Sequence, residues 1–281
     1  MSAFDDKDWN MIPNLLSIAG SDPSGGAGVQ ADLKTFSALG CYGMAAITAL
    51  TAQNTRGVSD VHVPSAQFVA AQIDAIFEDI EVAAVKIGML ATGFIIEAVA
   101  KRLCYYKPRF IVLDPVLAAT SGDALASSDA AEAMVRYIFP LATVVTPNFF
   151  EASRLSGHVI AADHAGMRRA AGLLHARGAR AVLLKGGHVP GPTSDDLLFD
   201  GASYRAFSTP RIGVSGAHGT GCTLSSAIAV YLAKGLPLPE AIEAAKAYLT
   251  AALAAADQLT VGQGIGPVHH FHELWPSAPK R

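Results

Sequence analysis

Charge is scarce in this chain. Only 16% of its 281 residues are Asp, Glu, Lys or Arg, and 24 acidic against 21 basic residues leave a formal charge of −3. A broad surface for nucleic acid or anionic membrane needs clustered Lys and Arg, so that class of partner is excluded. Cysteine is scarcer still: Cys41, Cys104 and Cys222 are odd in number and far apart. That pattern excludes a disulfide scaffold and fits reduced thiols in a cytoplasm. Neither common nucleotide fingerprint occurs. No Gly-x-x-x-x-Gly-Lys-Ser/Thr is present, and Gly262-Gln-Gly-Ile-Gly266 has the wrong spacing and runs into Pro267. The first residues, Met1-Ser-Ala-Phe-Asp-Asp-Lys-Asp8, lack the basic-then-apolar order of a signal peptide. The uncharged run Thr35–Thr55 holds Gly40, Gly43, Thr48, Thr51, Gln53 and Asn54. It reads as a helix end, a turn and a strand rather than a membrane span.

What the chain does have is apolar mass: 51% of its residues are hydrophobic. At this length a fold buries roughly 75% of the unfolded chain's surface, enough for a large core. The apolar residues come as short strands alternating with helices. Strands are expected at Asn14–Ala19, Gly43–Leu50, Val82–Ile87, Phe110–Leu113, Thr143–Val145 and Ala181–Leu184. Helices are expected at Ala27–Leu39, Ser65–Ile80 with Ser65 as N-cap, Thr92–Tyr106, Asp129–Ile138 and Asp163–Arg177. Near-continuous apolar strands between helices indicate a mostly parallel α/β sheet covered on both faces. Asp195–Phe199 and Ser203–Phe207, joined through Asp200-Gly201, read as a hairpin at the sheet's edge. Two Ala-rich helices, Thr220–Lys234 and Pro239–Gln258, follow. No repeat or linker divides the chain, so residues 14–276 are expected to form one domain after an N-terminal extension of residues 1–13.

Ligands of open parallel sheets bind beyond the strands' carboxyl ends. Polar or Gly-rich stretches fall there repeatedly: Gly20–Gly26, Gln53-Asn54, Gly88-Met89, Asp114-Pro115, Thr146-Pro147-Asn148 and Lys185-Gly-Gly-His188. The sharpest element is Gly216-Ala-His-Gly-Thr-Gly-Cys-Thr223, which opens directly into a helix. Gly219, Thr220 and Gly221 would expose N–H groups at the positive end of that helix, a cradle for a phosphoryl group. Gln53 carries both an amide donor and an acceptor. Asn148 followed three residues later by Glu151 also fits a capping box at a helix start. A metal site at His269-His-Phe-His272 is disfavoured, because no Cys or acidic partner stands at ligand spacing.

These segments resemble a known family. Ala19–Phe36, Ala49–Thr55, Val85–Leu90, Leu113–Val116, Thr146–Asn148 with Glu151, Lys185–His188, His218–Ser226 and Gly266–His272 are similar to the hydroxymethylpyrimidine/phosphomethylpyrimidine kinases of thiamine biosynthesis. The likeness runs in order from about Asn14 to Trp275. It implies a ribokinase-like three-layer fold, ATP with Mg²⁺, a cytoplasmic enzyme and a homodimer. It places the aminopyrimidine against Gly20, Asp32, Gln53, Met89 and Val116. It also assigns the nucleotide to Asp114, Asn148, Glu151 and Lys185, with Mg²⁺ on Asp114 and Glu151 and Lys246 at the nucleotide's edge. Asp32, on a helix, reads equally as a solvated face or a cap.

Cys222 stands where sugar kinases of that fold have an Asp base, and a helix N-terminus is expected to lower its thiol pKa from about 8.5. The competing reading is a small packing residue. One departure is Thr120, in the place where many relatives carry Lys; it bears on the second phosphorylation more than on the first. Two alternatives remain in view, a pyridoxal kinase of vitamin B6 salvage and a catalytically silent pyrimidine sensor.

Overall fold

The computed structural model describes residues 11–118, 126–214 and 218–275. Thr120 lies outside these, as do Gly216 and Ala217. The described residues form one nine-stranded sheet in the order β3-β2-β1-β4-β5-β6-β7-β8-β9. Its centre is parallel: β1 (Asn14–Gly20) between β2 (Tyr42–Asn54) and β4 (Ala84–Ile87), then β5 (Ile111–Leu113), β6 (Val144–Val145) and β7 (Val182–Leu184). The hairpin β8 (Thr193–Phe199) and β9 (Tyr204–Pro210) closes one side antiparallel, as expected from its turn residues.

The other edge departs from the sequence expectation. β2 overshoots β1 by several residues, and its free end pairs antiparallel with β3 (Gly57–His62), so that Leu50 faces His62. The segment Gly-Val-Ser-Asp-Val-His is too short and polar to be read as a strand by itself. It is ordered by the unpaired backbone of β2 beside it. The register slips between Ala52 and Gln53, and such a bulge re-aims the side chain that follows.

Alternation along each strand builds two cores. Leu16, Ile18, Val85, Ile87, Ile111, Leu113, Val145, Val182 and Leu184 face one side. There they meet α2 (Ala66–Phe77), α3 (Gly93–Tyr106), α4 (Ala130–Ala133, running into a π-helical turn to Ile138), α5 (Phe149–Ser156) and α6 (His164–Ala176). Leu15, Ala84, Val112, Val144 and Leu183 face the other side, against α1 (Gly28–Ala38), α7 (Thr220–Ala233) and α8 (Leu238–Ala254). The result is three layers. Helix starts use the expected chemistry: Ser65 Oγ accepts from Phe68 N at 3.2 Å, and Thr92 and Asp163 cap α3 and α6 in the same way. None of the described helices is long and apolar enough to cross a membrane.

The chain leaves β1 through α1 toward β2 on one side and returns through α2 to β4 on the other. Strand order therefore reverses at β1, and a crevice opens beyond the carboxyl ends of β1 and β4. The site sits there.

Phe36, from α1, is completely buried in the second core. Phe36→Ala should lower unfolding free energy by about 3–5 kcal/mol, measured by urea denaturation.

Candidate active site

A cavity of about 820 Å³ occupies the crevice, bordered by Gly20, Gln53, Lys86, Asp114, Lys185 and Cys222 among others. Two glycine loops interlock at its mouth. Asp22, on the loop leaving β1, is almost fully buried. Its Oδ1 accepts from Ser24 N (2.9 Å) and Ser24 Oγ (2.7 Å), and its Oδ2 from Gly26 N (3.1 Å) and Ala27 N (2.8 Å). Oδ2 also lies 2.8 Å from Nε2 of His218, on the second loop. Burial raises the Asp22 pKa, but hydrogen bonds from His218 and Ser24 outweigh it and hold the carboxyl below its ordinary value. Across the same contact Gly219 has φ +79°, and a Cβ there would collide with the Gly26 carbonyl oxygen. Only glycine fits at 219. With Gly219 as N-cap, α7 begins at Thr220 and presents the N–H groups of Thr220, Gly221 and Cys222 to the cavity, a ready anion cradle.

Beneath the cradle lie buried ion pairs. Lys86 Nζ is 2.8 and 2.9 Å from the two oxygens of Asp32, and both side chains are fully buried. Ser17 Oγ (2.6 Å) and Ser226 Oγ (2.7 Å) complete the Asp32 shell. Asp32, expected at the substrate, therefore lies below the cavity with its carboxylate turned to Lys86, and Lys86 itself borders the open space. Burial disfavours the ammonium, yet the Asp32 charge holds the Lys86 pKa above its ordinary value. Lys185 Nζ is 2.7 Å from Asp114 Oδ1 and 3.7 Å from Glu151 Oε2. It passes close under Gly221, where a Cβ would stand 3.0 Å from Nζ. Asn148 and Glu151 form the expected capping box on α5, with Glu151 N to Asn148 Oδ1 at 2.9 Å and Asn148 N to Glu151 Oε2 at 2.8 Å. Burial pushes the Glu151 carboxyl up; Lys185 opposes the shift and Asp114 adds to it.

Cys222 corrects the expectation of a lowered thiol pKa. Burial pushes it up to about 11; Lys86 and the Gly28 N–H oppose the shift, while Asp114 and Asp32 add to it. Without ligand the group is a thiol at neutral pH.

At the end of the cavity nearest β2, Met89 and Val116 form an apolar wall with Ala49 and Ala91. Gly20 closes β1 against it; a Cβ there would stand 3.0 Å from Met89 Sδ. Gln53 Oε1 lies 3.3 Å from Thr51 Oγ1, and Gln53 Nε2 lies 3.4 Å from His218 Nε2. At the far end Lys246 Nζ is 2.7 Å from Asp196 Oδ2, while Asp196 Oδ1 accepts from Gly186 N at 2.9 Å. Ile212, Val214, Leu249 and Leu253 supply an apolar slot beside that pair.

Among the described residues no group of three or more His, Cys, Asp or Glu forms a metal cage. The pair Asp114 and Glu151 nonetheless suits Mg²⁺, a hard cation that keeps several waters and takes phosphate oxygens as further ligands.

A family model described as phosphomethylpyrimidine kinase matches residues 22–269. The chain belongs to the phosphomethylpyrimidine kinase family. Within that family, the hydroxymethylpyrimidine/phosphomethylpyrimidine kinase of Rhizobium meliloti (strain 1021) is 57% identical over 265 residues, covering 94% of this chain and 99% of its own. The like-named protein of Escherichia coli (strain K12) is 49% identical over 262 residues, covering 93% and 98%. A solved structure of pyridoxal kinase from Staphylococcus aureus in complex with ADP superposes with a TM-score of 0.86 at 36% identity, covering 94% of this chain and 96% of that one.

The structure gathers Gly20, Gln53, Met89, Val116, Asp114, Asn148, Glu151, Lys185 and the Gly219–Cys222 turn around the same cavity. Sequence reasoning missed Lys86, Asp22, His218 and Asp196. Lys86 left a readable signal, a lone ammonium in the buried strand Ala-Val-Lys-Ile, which demands a buried partner. Asp22 left another, an Asp ahead of Pro-Ser-Gly-Gly that suits an Asx-type turn.

Two outcomes are expected. Lys86→Met strands the Asp32 carboxylate in the interior and should cost about 3–5 kcal/mol of stability in a chemical melt. Iodoacetamide should modify Cys222 in the ligand-free protein at a rate that climbs about tenfold per pH unit from pH 7 to 9, as a thiol titrating well above that range requires. A plateau near pH 8.5, followed by peptide mass spectrometry, would show that burial does not control this thiol.

Proposed function

We propose that this chain transfers the γ-phosphoryl group of ATP to the hydroxymethyl oxygen of 4-amino-5-hydroxymethyl-2-methylpyrimidine, and then phosphorylates the monophosphate. The observation that carries this reading is one continuous cavity, with the Gln53–Met89–Val116 pocket at one end, the Lys246–Leu253 slot at the other, and the α7 cradle between them. In the first step a bond forms between the hydroxymethyl oxygen and the γ-phosphorus as the bond to the β-phosphate oxygen breaks. The N–H groups at the start of α7 face the charge that spreads over the transferring group. Lys185 adds a fixed positive charge from below, and Lys246, anchored by Asp196, stands at the nucleotide end. Asp114 and Glu151 would hold Mg²⁺, whose contribution would be to neutralise phosphate charge. Gly20, Gln53, Met89 and Val116 hold the ring, and Asp32 acts through Lys86.

Cys222 is assigned as the acceptor of the hydroxyl proton. It lines the cavity at the first turn of α7, with Lys86 and the Gly28 N–H opposing the effect of its burial. Burial raises that thiol to about 11 in the ligand-free site, so it serves as proton acceptor only if the loaded site lowers that value, and Lys86 is the positive charge that opposes the burial. The kinase domain is taken as residues 14–276, ribokinase-like, cytoplasmic and homodimeric. Vitamin B6 salvage stands as a second reading on one observation, the superposition on a pyridoxal kinase at a TM-score of 0.86.

ATP consumption with Mg²⁺ is to be measured with hydroxymethylpyrimidine, its monophosphate and pyridoxal as separate acceptors, with products resolved by mass. Both pyrimidines are expected to turn over. Pyridoxal alone as acceptor would move the chain to B6 salvage, and pyrimidine binding without any transfer would make it a sensor. Cys222→Ala should slow the alcohol step by about 10²–10⁴-fold. It should slow the monophosphate step far less, because that acceptor is already largely deprotonated, with a second pKa of about 6. Equal losses in both steps would make Cys222 a structural residue.

A further inference from the structure

Arg211, where the chain leaves β9, is exposed, yet the edges of its guanidinium are spent on backbone carbonyls. Nε donates to the Gly191 oxygen at 2.9 Å and Nη1 to the Gly187 oxygen at 2.7 Å. Nη2 donates to the Val189 oxygen at 2.5 Å and to the Thr193 oxygen at 2.9 Å. The backbone N–H of Arg211 donates to the Pro192 carbonyl at 2.9 Å. All these acceptors belong to one segment, the connection from β7 to β8. Those of the side chain fall at alternate residues, so the loop turns every second carbonyl toward a single cation. Convergent carbonyl dipoles repel one another, and without a cation between them they would turn out to water. A planar fork of N–H donors suits the arrangement; the compact ammonium of a lysine, with three donors, cannot meet it.

The place of this loop gives the clamp a purpose. It begins at Lys185, under the cradle, and its Gly186 N–H is held by Asp196, the partner of Lys246. Gly187, His188 and Arg211 border the cavity at the same end as Ile212 and Leu249. Exposed hydrogen bonds contribute little to global stability. Ordering a loop, however, costs backbone entropy at every residue, and a ligand binds less tightly in proportion to the time its wall is out of place. We propose that Arg211 is a positioning residue for the nucleotide: its guanidinium holds the 186–193 loop as one wall of the nucleotide end, and it acts as a planar fork rather than as a charge for phosphate. The inference rests on the reading of that end of the cavity as the nucleotide site.

The test titrates the protein calorimetrically with ADP in the presence of Mg²⁺, and separately with hydroxymethylpyrimidine. It also measures kcat, both KM values and amide hydrogen exchange across 186–193. Arg211→Lys keeps the charge and removes the fork. The Kd for ADP and the KM for ATP should rise at least about tenfold. The kcat at saturating ATP and the Kd for the pyrimidine should stay within about twofold, while the loop amides exchange faster. Gly191→Ala reaches the same loop from its other side: Gly191 has φ +145°, which an alanine adopts only under strain, so the carbonyl facing Nε is displaced with Arg211 intact. It should weaken ADP binding by about threefold or more, and it keeps the test decisive should Arg211→Lys fail to fold. Wild-type ADP affinity in Arg211→Lys overturns the proposal, because charge alone would then suffice. So does loop exchange that quickens in either variant without loss of ADP affinity, or an equal loss of pyrimidine binding. A wild-type protein that binds the pyrimidine but not ADP overturns the nucleotide reading of this end and the clamp's role with it.

Discussion

Asp22 accepts hydrogen bonds from Ser24, Gly26, Ala27 and His218, and the shape of the cavity mouth depends on all of them. A Gly-rich loop has many backbone conformations to lose, and one buried carboxylate with inward-pointing donors selects among them. Because the fourth partner belongs to the segment before α7, the same group ties the acceptor loop to the anion cradle. Chain ends nearly 200 residues apart are thereby held in register by one side chain. The packing of Gly219 against the Gly26 carbonyl then sets how closely the two loops approach.

A near-neutral protein that handles phosphate needs positive charge without a positive surface. Here it is supplied in pairs. Lys86 from β4 meets Asp32 from α1, Lys185 after β7 meets Asp114 after β5, and Lys246 from α8 meets Asp196 from β8. Buried pairs of this kind contribute little net stability, because desolvation cancels much of the attraction. Their value is positional: each ammonium is fixed along the cavity wall, and each pair joins two different elements of the fold. The shared Lys185 also links the capping box of α5 to the cradle of α7, so the charge state of Glu151 is felt by both helices.

Much of this was legible in the sequence. The parallel strands, both helical layers and the edge hairpin follow from apolar periodicity and turn residues, and the rim residues follow from their places after strands. What escaped was non-local. The segment Gly57–His62 is a strand only because β2 outruns its parallel neighbour and offers unpaired backbone. Gln53 was expected in a loop, and it sits instead on the strand's last turn of register, aimed by a bulge. Asp32 reads as a substrate ligand or a surface acid until Lys86, 54 residues away, is seen to claim it. Helix-terminus reasoning lowers the Cys222 thiol pKa; its burial, which no local pattern encodes, raises it instead.

The contact between Gly219 and the Gly26 carbonyl also bears on how such a protein drifts over generations. The obstacle at 219 is backbone, not a side chain, so no compensating replacement at position 26 relieves it. Every missense change that one nucleotide substitution can make in a glycine codon adds a Cβ. Position 219 is thus closed to neutral variation, while the side chains that line the Gln53–Met89 end of the cavity meet no such backbone obstacle and can change one at a time. Acceptor preference can diverge on this scaffold while the phosphate cradle stays fixed.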